Sequence, residues 1–207
     1  MMERSRLVIA ALVLALAQIG FLSWFIVARA AVLRDGREVT LKVEPIDPRD
    51  LLRGDYVWLR YEVSSVPVSL ITNMPPGNDG LPSREIYVRL KRQGDGSWRV
   101  ASAKLEGPLD TAAGADELDV RGNADSTWNP GAGSSLRVEY GIERYYVAEG
   151  EGRPIEDRMR QRIDLPDGEG TTNAHLYSVI AAVGPDGTAQ IKRLMEDGEM
   201  LFEEPLY

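Results

Sequence analysis

Leu7 to Ala28 is apolar along its whole length except for Gln18 and Ser23, and no other feature restricts the fold of this chain as strongly. A run of about 22 residues makes a helix roughly 33 Å long, a match for a hydrocarbon core of about 30 Å. A water-facing helix keeps a polar side, and this run has none. The sequence therefore predicts one membrane span near the N-terminus. Trp24 and Phe25 fall near its end, where aromatic rings favour the interface. Ala28-Arg29-Ala30 also spells a leader-cleavage pattern, so a cleaved signal peptide is the competing reading. The run is longer than the roughly 7–15 apolar residues of such a leader, which favours an uncleaved anchor. The flanking charges are divided. Arg4 and Arg6 precede the run; Arg29, Arg34, Arg37 and Lys42 follow it. A plain count of basic residues would put the C-terminal side in the cytoplasm. The short N-terminal tail and the large acidic domain behind the run have the layout of a signal anchor with the domain outside, and that orientation is expected here. Residues 1–36 then form a cytoplasmic tip and anchor, and 37–207 an extracytoplasmic domain.

That domain is organised around Arg53-Gly54-Asp55-Tyr56-Val57-Trp58-Leu59-Arg60-Tyr61-Glu62. Gly54 and Asp55 are turn residues. A strand pattern to Val63 follows, with Val57, Leu59, Tyr61 and Val63 on one face and Tyr56, Trp58, Arg60 and Glu62 on the other. Gly54-Asp55-Tyr56-x-x-Leu59-x-Tyr61 resembles the defining pattern of the GDYXXLXY protein family. A second stretch, from Tyr140 through Arg144-Tyr145-Tyr146 to Glu149-Gly150-Glu151-Gly152, is similar to that family's other recurring segment. The resemblance implies a bacterial membrane-anchored protein with a periplasmic domain, and a polytopic membrane protein as a partner. It implies no reaction. The candidate site residues are Gly54, Asp55, Tyr56, Leu59, Tyr61, Arg144, Tyr145, Tyr146, Glu149 and Gly150. The two segments are expected to meet in the fold, with Arg144 as a partner for Asp55.

Elsewhere the pattern is mainly antiparallel β, with eight to ten strands and one short helix. Arg37 to Glu44 alternates as a half-buried strand. Ser64 to Ser83 is loop-rich and reads as a surface loop or a lid. Two hairpins stand out: Arg84–Arg92 with Ser97–Leu105, and His175–Val183 with Thr188–Met195. Strands are expected at Glu117–Gly122, Ser134–Tyr140, Ile142–Ala148 and Glu199–Phe202. The helix is expected after Pro154, ending at Leu165-Pro166.

Composition removes several chemistries. The formal net charge is −8 and the isoelectric point near 4.8, which argues against a nucleic-acid partner. There are no cysteines and one histidine, His175, so a thiolate nucleophile, a cysteine-ligated zinc and a multi-histidine metal site are excluded. No cofactor or metal is expected. The order of anchor, β domain and Gly-Asp pair also resembles type I signal peptidases, but Ile46 stands where their nucleophilic serine would fall. No Ser, Thr or Cys occurs between Leu41 and Asp55, so no serine nucleophile carries over. Asp47, Asp50 and Asp55 lie close enough in sequence for a hard cation, although turn formation around Pro48 and Gly54 explains them more simply. Two functional classes remain: an interaction module for a membrane or envelope partner, and an envelope hydrolase that uses carboxylates such as Glu149 and Glu151. Tyr, Trp and Arg side chains in the two motif segments favour the first.

Overall fold

The computed structural model describes residues 2–44, 56–75, 83–125, 134–146 and 177–204. Helix α1 spans Met2–Asp35 and is, among the described residues, the one helix long and apolar enough to cross a membrane. It runs past the apolar stretch because Arg29 to Asp35 contains neither glycine nor proline. It stops at Gly36, whose N–H still reaches the Val32 carbonyl at 2.9 Å. A Cβ at Gly36 would lie 2.4 Å from that carbonyl oxygen and 3.1 Å from the carbonyl oxygen of Val183. Only glycine lets the helix end sit this close to the domain. Leu33 is buried there, whereas Arg6 to Arg29 is exposed.

The described strands are β1 (Arg37–Glu44), β2 (Tyr56–Trp58), β3 (Arg60–Tyr61), β4 (Ser65–Pro67), β5 (Arg84–Arg92), β6 (Trp98–Leu105), β7 (Glu117–Ala124), β8 (Ser135–Glu139), β9 (Arg144–Tyr146), β10 (Tyr177–Val183), β11 (Ala189–Glu196) and β12 (Glu199–Glu203). They form one five-stranded sheet in the order β12-β11-β10-β1-β3, a second in the order β4-β8-β7-β5-β6, and a two-stranded ribbon of β2 and β9. All the paired strands are antiparallel. The protein is thus mainly β behind an N-terminal apolar helix, as its sequence predicts. Alternation builds the core. Val39, Leu41 and Val43 of the first sheet and Ile86, Val88 and Leu90 of the second are all buried, in one apolar cluster with residues from both sheets. Both expected hairpins form, and their turns use the same chemistry. The Asp95 carboxylate accepts from the Ser97 N–H and hydroxyl, and the Asp186 carboxylate accepts from the Thr188 N–H and hydroxyl.

Three expectations need correction. The motif strand does not run unbroken from Tyr56 to Val63. It divides at Leu59 into β2 and β3, and a 3-10 turn at Glu62–Ser64 precedes β4. The strand count rises beyond ten for the same reason: one expected strand becomes two, and Ser65–Pro67 adds another. The segment after Ser64 is not simply a surface loop. Val66 and Ile71 are buried, Ile71 bridges to Ala103, and the Asn73 amide both donates to the Leu105 carbonyl and accepts from the Leu105 N–H. That side chain imitates a backbone pair, which proline-rich composition hides. Residues 76–82, the expected helix after Pro154 and His175 lie outside the described residues.

Candidate functional site

The stretch from Tyr56 to Pro67 passes through all three sheets in turn: β2 in the ribbon, β3 at the edge of the first sheet, β4 at the edge of the second. Side chains secure it. Leu59 and Tyr61 are fully buried, and Val63 nearly so. Their spacing by two is the alternation the sequence predicts; it holds across the break between β2 and β3, and Val63 is buried although it lies in the 3-10 turn.

The partner of this stretch is the turn from Tyr140 to Glu143. The Leu59 N–H leaves the ladder and donates to the Glu143 carbonyl at 2.7 Å. The Tyr61 hydroxyl donates to the Ile142 carbonyl at 2.5 Å. In the opposite sense, the Tyr140 hydroxyl donates to the Val63 carbonyl at 2.7 Å. Burial raises the Tyr61 phenol well above its ordinary range, and the nearby Glu143 carboxylate adds to the effect; Tyr140 is raised for the same two reasons. Both phenols therefore stay protonated and act as donors, which buried tyrosine hydroxyls require.

Glu143 holds the turn itself. Its carboxylate accepts from the Tyr140 N–H at 2.5 Å and the Gly141 N–H at 2.9 Å. Gly141 has φ +80°, a left-handed conformation that a residue with a Cβ adopts only at a cost. Burial pushes the Glu143 carboxyl above the usual range; the N–H donors pull it back part of the way, and Glu139 pushes it up a little further.

Beyond this lock the ribbon extends. Its register pairs Tyr56 with Tyr146, Val57 with Tyr145, and Trp58 with Arg144. The two segments singled out in the sequence are therefore neighbours in space. The Arg144 guanidinium lies over the Trp58 ring, 5.2 Å from its centroid. Arg144 is exposed and Trp58 half-buried, so the pair presents an aromatic and a cation together at the surface. Tyr145 is buried and meets Phe202 with ring centroids 6.3 Å apart, tilted by 52°. Its phenol is raised to about 12, chiefly by burial, with a smaller push from Glu204. Phe202 belongs to β12, whereas β3 lies at the opposite edge of that sheet. The ribbon, continuous with β3 at one edge, thus reaches the strand at the other.

Of the candidate residues, Leu59, Tyr61, Arg144 and Tyr145 are placed with their side chains, and Tyr56 and Tyr146 by their backbone register. Gly54, Asp55, Glu149 and Gly150 lie outside the described residues, and with them the expected Asp55–Arg144 pair. Sequence reasoning counted Trp58 only within the aromatic strand of the interaction surface, and it did not single out Tyr140 or Glu143 as site residues. One signal was there: a phenol on an otherwise aliphatic buried face, as at Tyr61, must find an acceptor, and a Gly-x-Glu turn supplies backbone carbonyls.

Several other charged groups among the described residues are held in bonds within the fold. The buried Arg89 donates to both Asp119 carboxylate oxygens, at 2.7 and 2.8 Å, and to the Thr111 hydroxyl and carbonyl, at 2.9 and 2.6 Å. These bonds fix the β6–β7 loop. Lys192 and Arg193 pair with Glu38, and Arg193 also with Glu203. Among the described residues, no cluster of three or more His, Asp or Glu side chains has the arrangement of a metal site. A family model for the GDYXXLXY protein matches residues 18–194. No curated protein and no solved structure matches the chain.

Proposed function

This chain belongs to the GDYXXLXY protein family, and from that premise we propose that it is an interaction module of the bacterial envelope. In this reading α1 is an uncleaved signal anchor in the inner membrane. The β domain lies in the periplasm, and the ribbon of β2 and β9 docks a membrane or envelope protein. The observation that carries the reading is the exposed Arg144 guanidinium over the half-buried Trp58 ring. Arginine and tryptophan are enriched where interfaces concentrate their binding free energy. A stacked pair is also held in one geometry before a partner arrives, which lowers the entropy lost on binding. Behind it, the hydroxyl bonds of Tyr61 and Tyr140 and the Tyr145–Phe202 contact support the ribbon. A docking strand needs such a firm base.

The membrane partner in this proposal is a polytopic protein, as the family resemblance implies. Cross-linking in intact membranes followed by purification of the full-length chain tests it. The wild type should retain one specific membrane protein, and the double substitution Trp58→Ala/Arg144→Ala should lose it while the domain stays folded. Equal retention by both would count against the ribbon as the docking surface. A reporter active only outside the cytoplasm, fused after Tyr207, should be active. Activity of a cytoplasm-only reporter instead would overturn the orientation.

A further inference from the structure

Gln18 stands in the middle of the apolar run from Leu7 to Ala28, and the helix around it is exposed on every side. In a bilayer this position falls near the midplane, about 15 Å from either headgroup region, and a glutamine side chain cannot span that distance. Its amide carries two donors and an acceptor. Leaving them unpaired in hydrocarbon is unfavourable. Ser23, the other polar residue of the run, has a local solution, since its hydroxyl can bond the Ile19 carbonyl one turn back. Gln18 has no such outlet, and the β domain, which meets the helix only near Leu33 and Gly36, does not cover it.

We propose that α1 pairs in parallel with α1 of a second copy of this chain, the two Gln18 amides hydrogen-bonding each other across a two-fold axis. Three features favour a second copy. A glutamine amide is self-complementary, each side chain donating to and accepting from its twin. Two identical anchors with the same orientation place Gln18 at the same depth without further design. Finally, steps of three and four from Gln18 give Ala11, Leu14, Phe21 and Phe25, a heptad seam with one polar residue at a core position, the arrangement that fixes register in paired helices. The small side chain of Ala11 lets the backbones approach about two turns before Gln18. This inference is independent of the ribbon and its partner.

The chain has no cysteine, so single introduced cysteines report helix contacts without background. Full-length variants with one cysteine at successive positions from Ala11 to Phe25 are oxidised in native membranes. Disulfide-linked dimer should peak for Ala11→Cys, Leu14→Cys and Phe21→Cys, and be weakest for Val13→Cys and Leu16→Cys. In the Leu14→Cys background, Gln18→Leu should lower the dimer-to-monomer ratio about five- to thirtyfold, the range expected for a reciprocal pair of interhelical hydrogen bonds in lipid. Gln18→Asn should retain most of the dimer. Gln18→Leu keeps the helix apolar, so a loss of dimer is not a failure of insertion. Cross-linking without helical periodicity, or a ratio unchanged by Gln18→Leu, would overturn the proposal, as would adducts with other proteins in place of the dimer.

Discussion

Replacing Tyr61 with phenylalanine removes one oxygen from the centre of the lock and leaves the ring in place. The side chain is fully buried and its hydroxyl donates to the Ile142 carbonyl at 2.5 Å. The net value of such a bond is about 0.5–1.5 kcal/mol, but the variant also strands a buried carbonyl, so the expected loss is about 1–3 kcal/mol. Tyr140→Phe removes the reciprocal bond to the Val63 carbonyl and should cost a similar amount. Both bonds hold the same two segments together. The double variant should therefore fall short of the sum of the single losses by about 0.5 kcal/mol or more, because the second bond has less to hold once the first is gone. Denaturant titration of the full chain in mild detergent, followed by intrinsic fluorescence, measures this; the slope should be unchanged while the midpoint falls. A Tyr61→Phe variant as stable as the wild type, or strictly additive losses, would refute the lock.

Further outcomes follow from neighbouring residues. Leu59→Ala empties a fully buried site where the chain changes sheets, and should cost about 2–5 kcal/mol in the same titration; a cost under about 1 kcal/mol would mean the site collapses without strain. Burial holds the Glu143 carboxyl above its ordinary range, so the folded protein binds that proton more tightly than the unfolded chain does. Its contribution favours the fold below the ordinary glutamate range and is lost as pH rises through the raised value. Compared with Glu143→Gln, the wild type should become relatively less stable as pH rises from about 4.5 through the raised value, as read from denaturant midpoints at several pH values. A relative gain over that interval would reverse the sign assigned here. Glu38 acts in the opposite sense: its carboxyl is lowered chiefly by the hydrogen bond from Lys192. Its contribution is present above the ordinary carboxylate range and lost as pH falls through the lowered value, so Glu38→Gln should flatten the acid limb of the stability curve.

The N-terminal apolar helix, β1 and both hairpins were legible because local signals agree there. A long apolar run without proline, strict alternation in Arg37–Glu44 and Asp-Gly turns between strand patterns each favour one local conformation. The motif strand was legible as to which side chains are buried, since Leu59, Tyr61 and Val63 keep their alternation, but not as to which strands they pair with. Nothing local tells β2 to pair with β9 and β3 with β1; that choice is made by the Tyr140–Glu143 turn, some eighty residues on. Asn73 shows the same limit. Its loop-like surroundings hide an amide that pairs with Leu105 as a strand residue would. The meeting of the two motif segments was inferred from their shared aromatic and charged character, and the register of Tyr56 with Tyr146 brings their backbones together. The clasp imagined between Asp55 and Arg144 rests on a residue outside the described ones; in the structure Arg144 lies over Trp58.

Whether the ribbon is a docking surface is tested most directly by a photo-reactive amino acid placed at single positions of the full-length protein in living cells. Arg60, two residues beyond Trp58 at the end of the ribbon, and Arg99 on β6 both reach solvent, and neither belongs to the Trp58–Arg144 pair. Irradiation should yield one discrete adduct with a membrane protein from position 60, reduced at least about tenfold when Trp58→Ala is added, and none from position 99. Equal labelling from both positions, or an adduct at 60 indifferent to Trp58, would contradict the account.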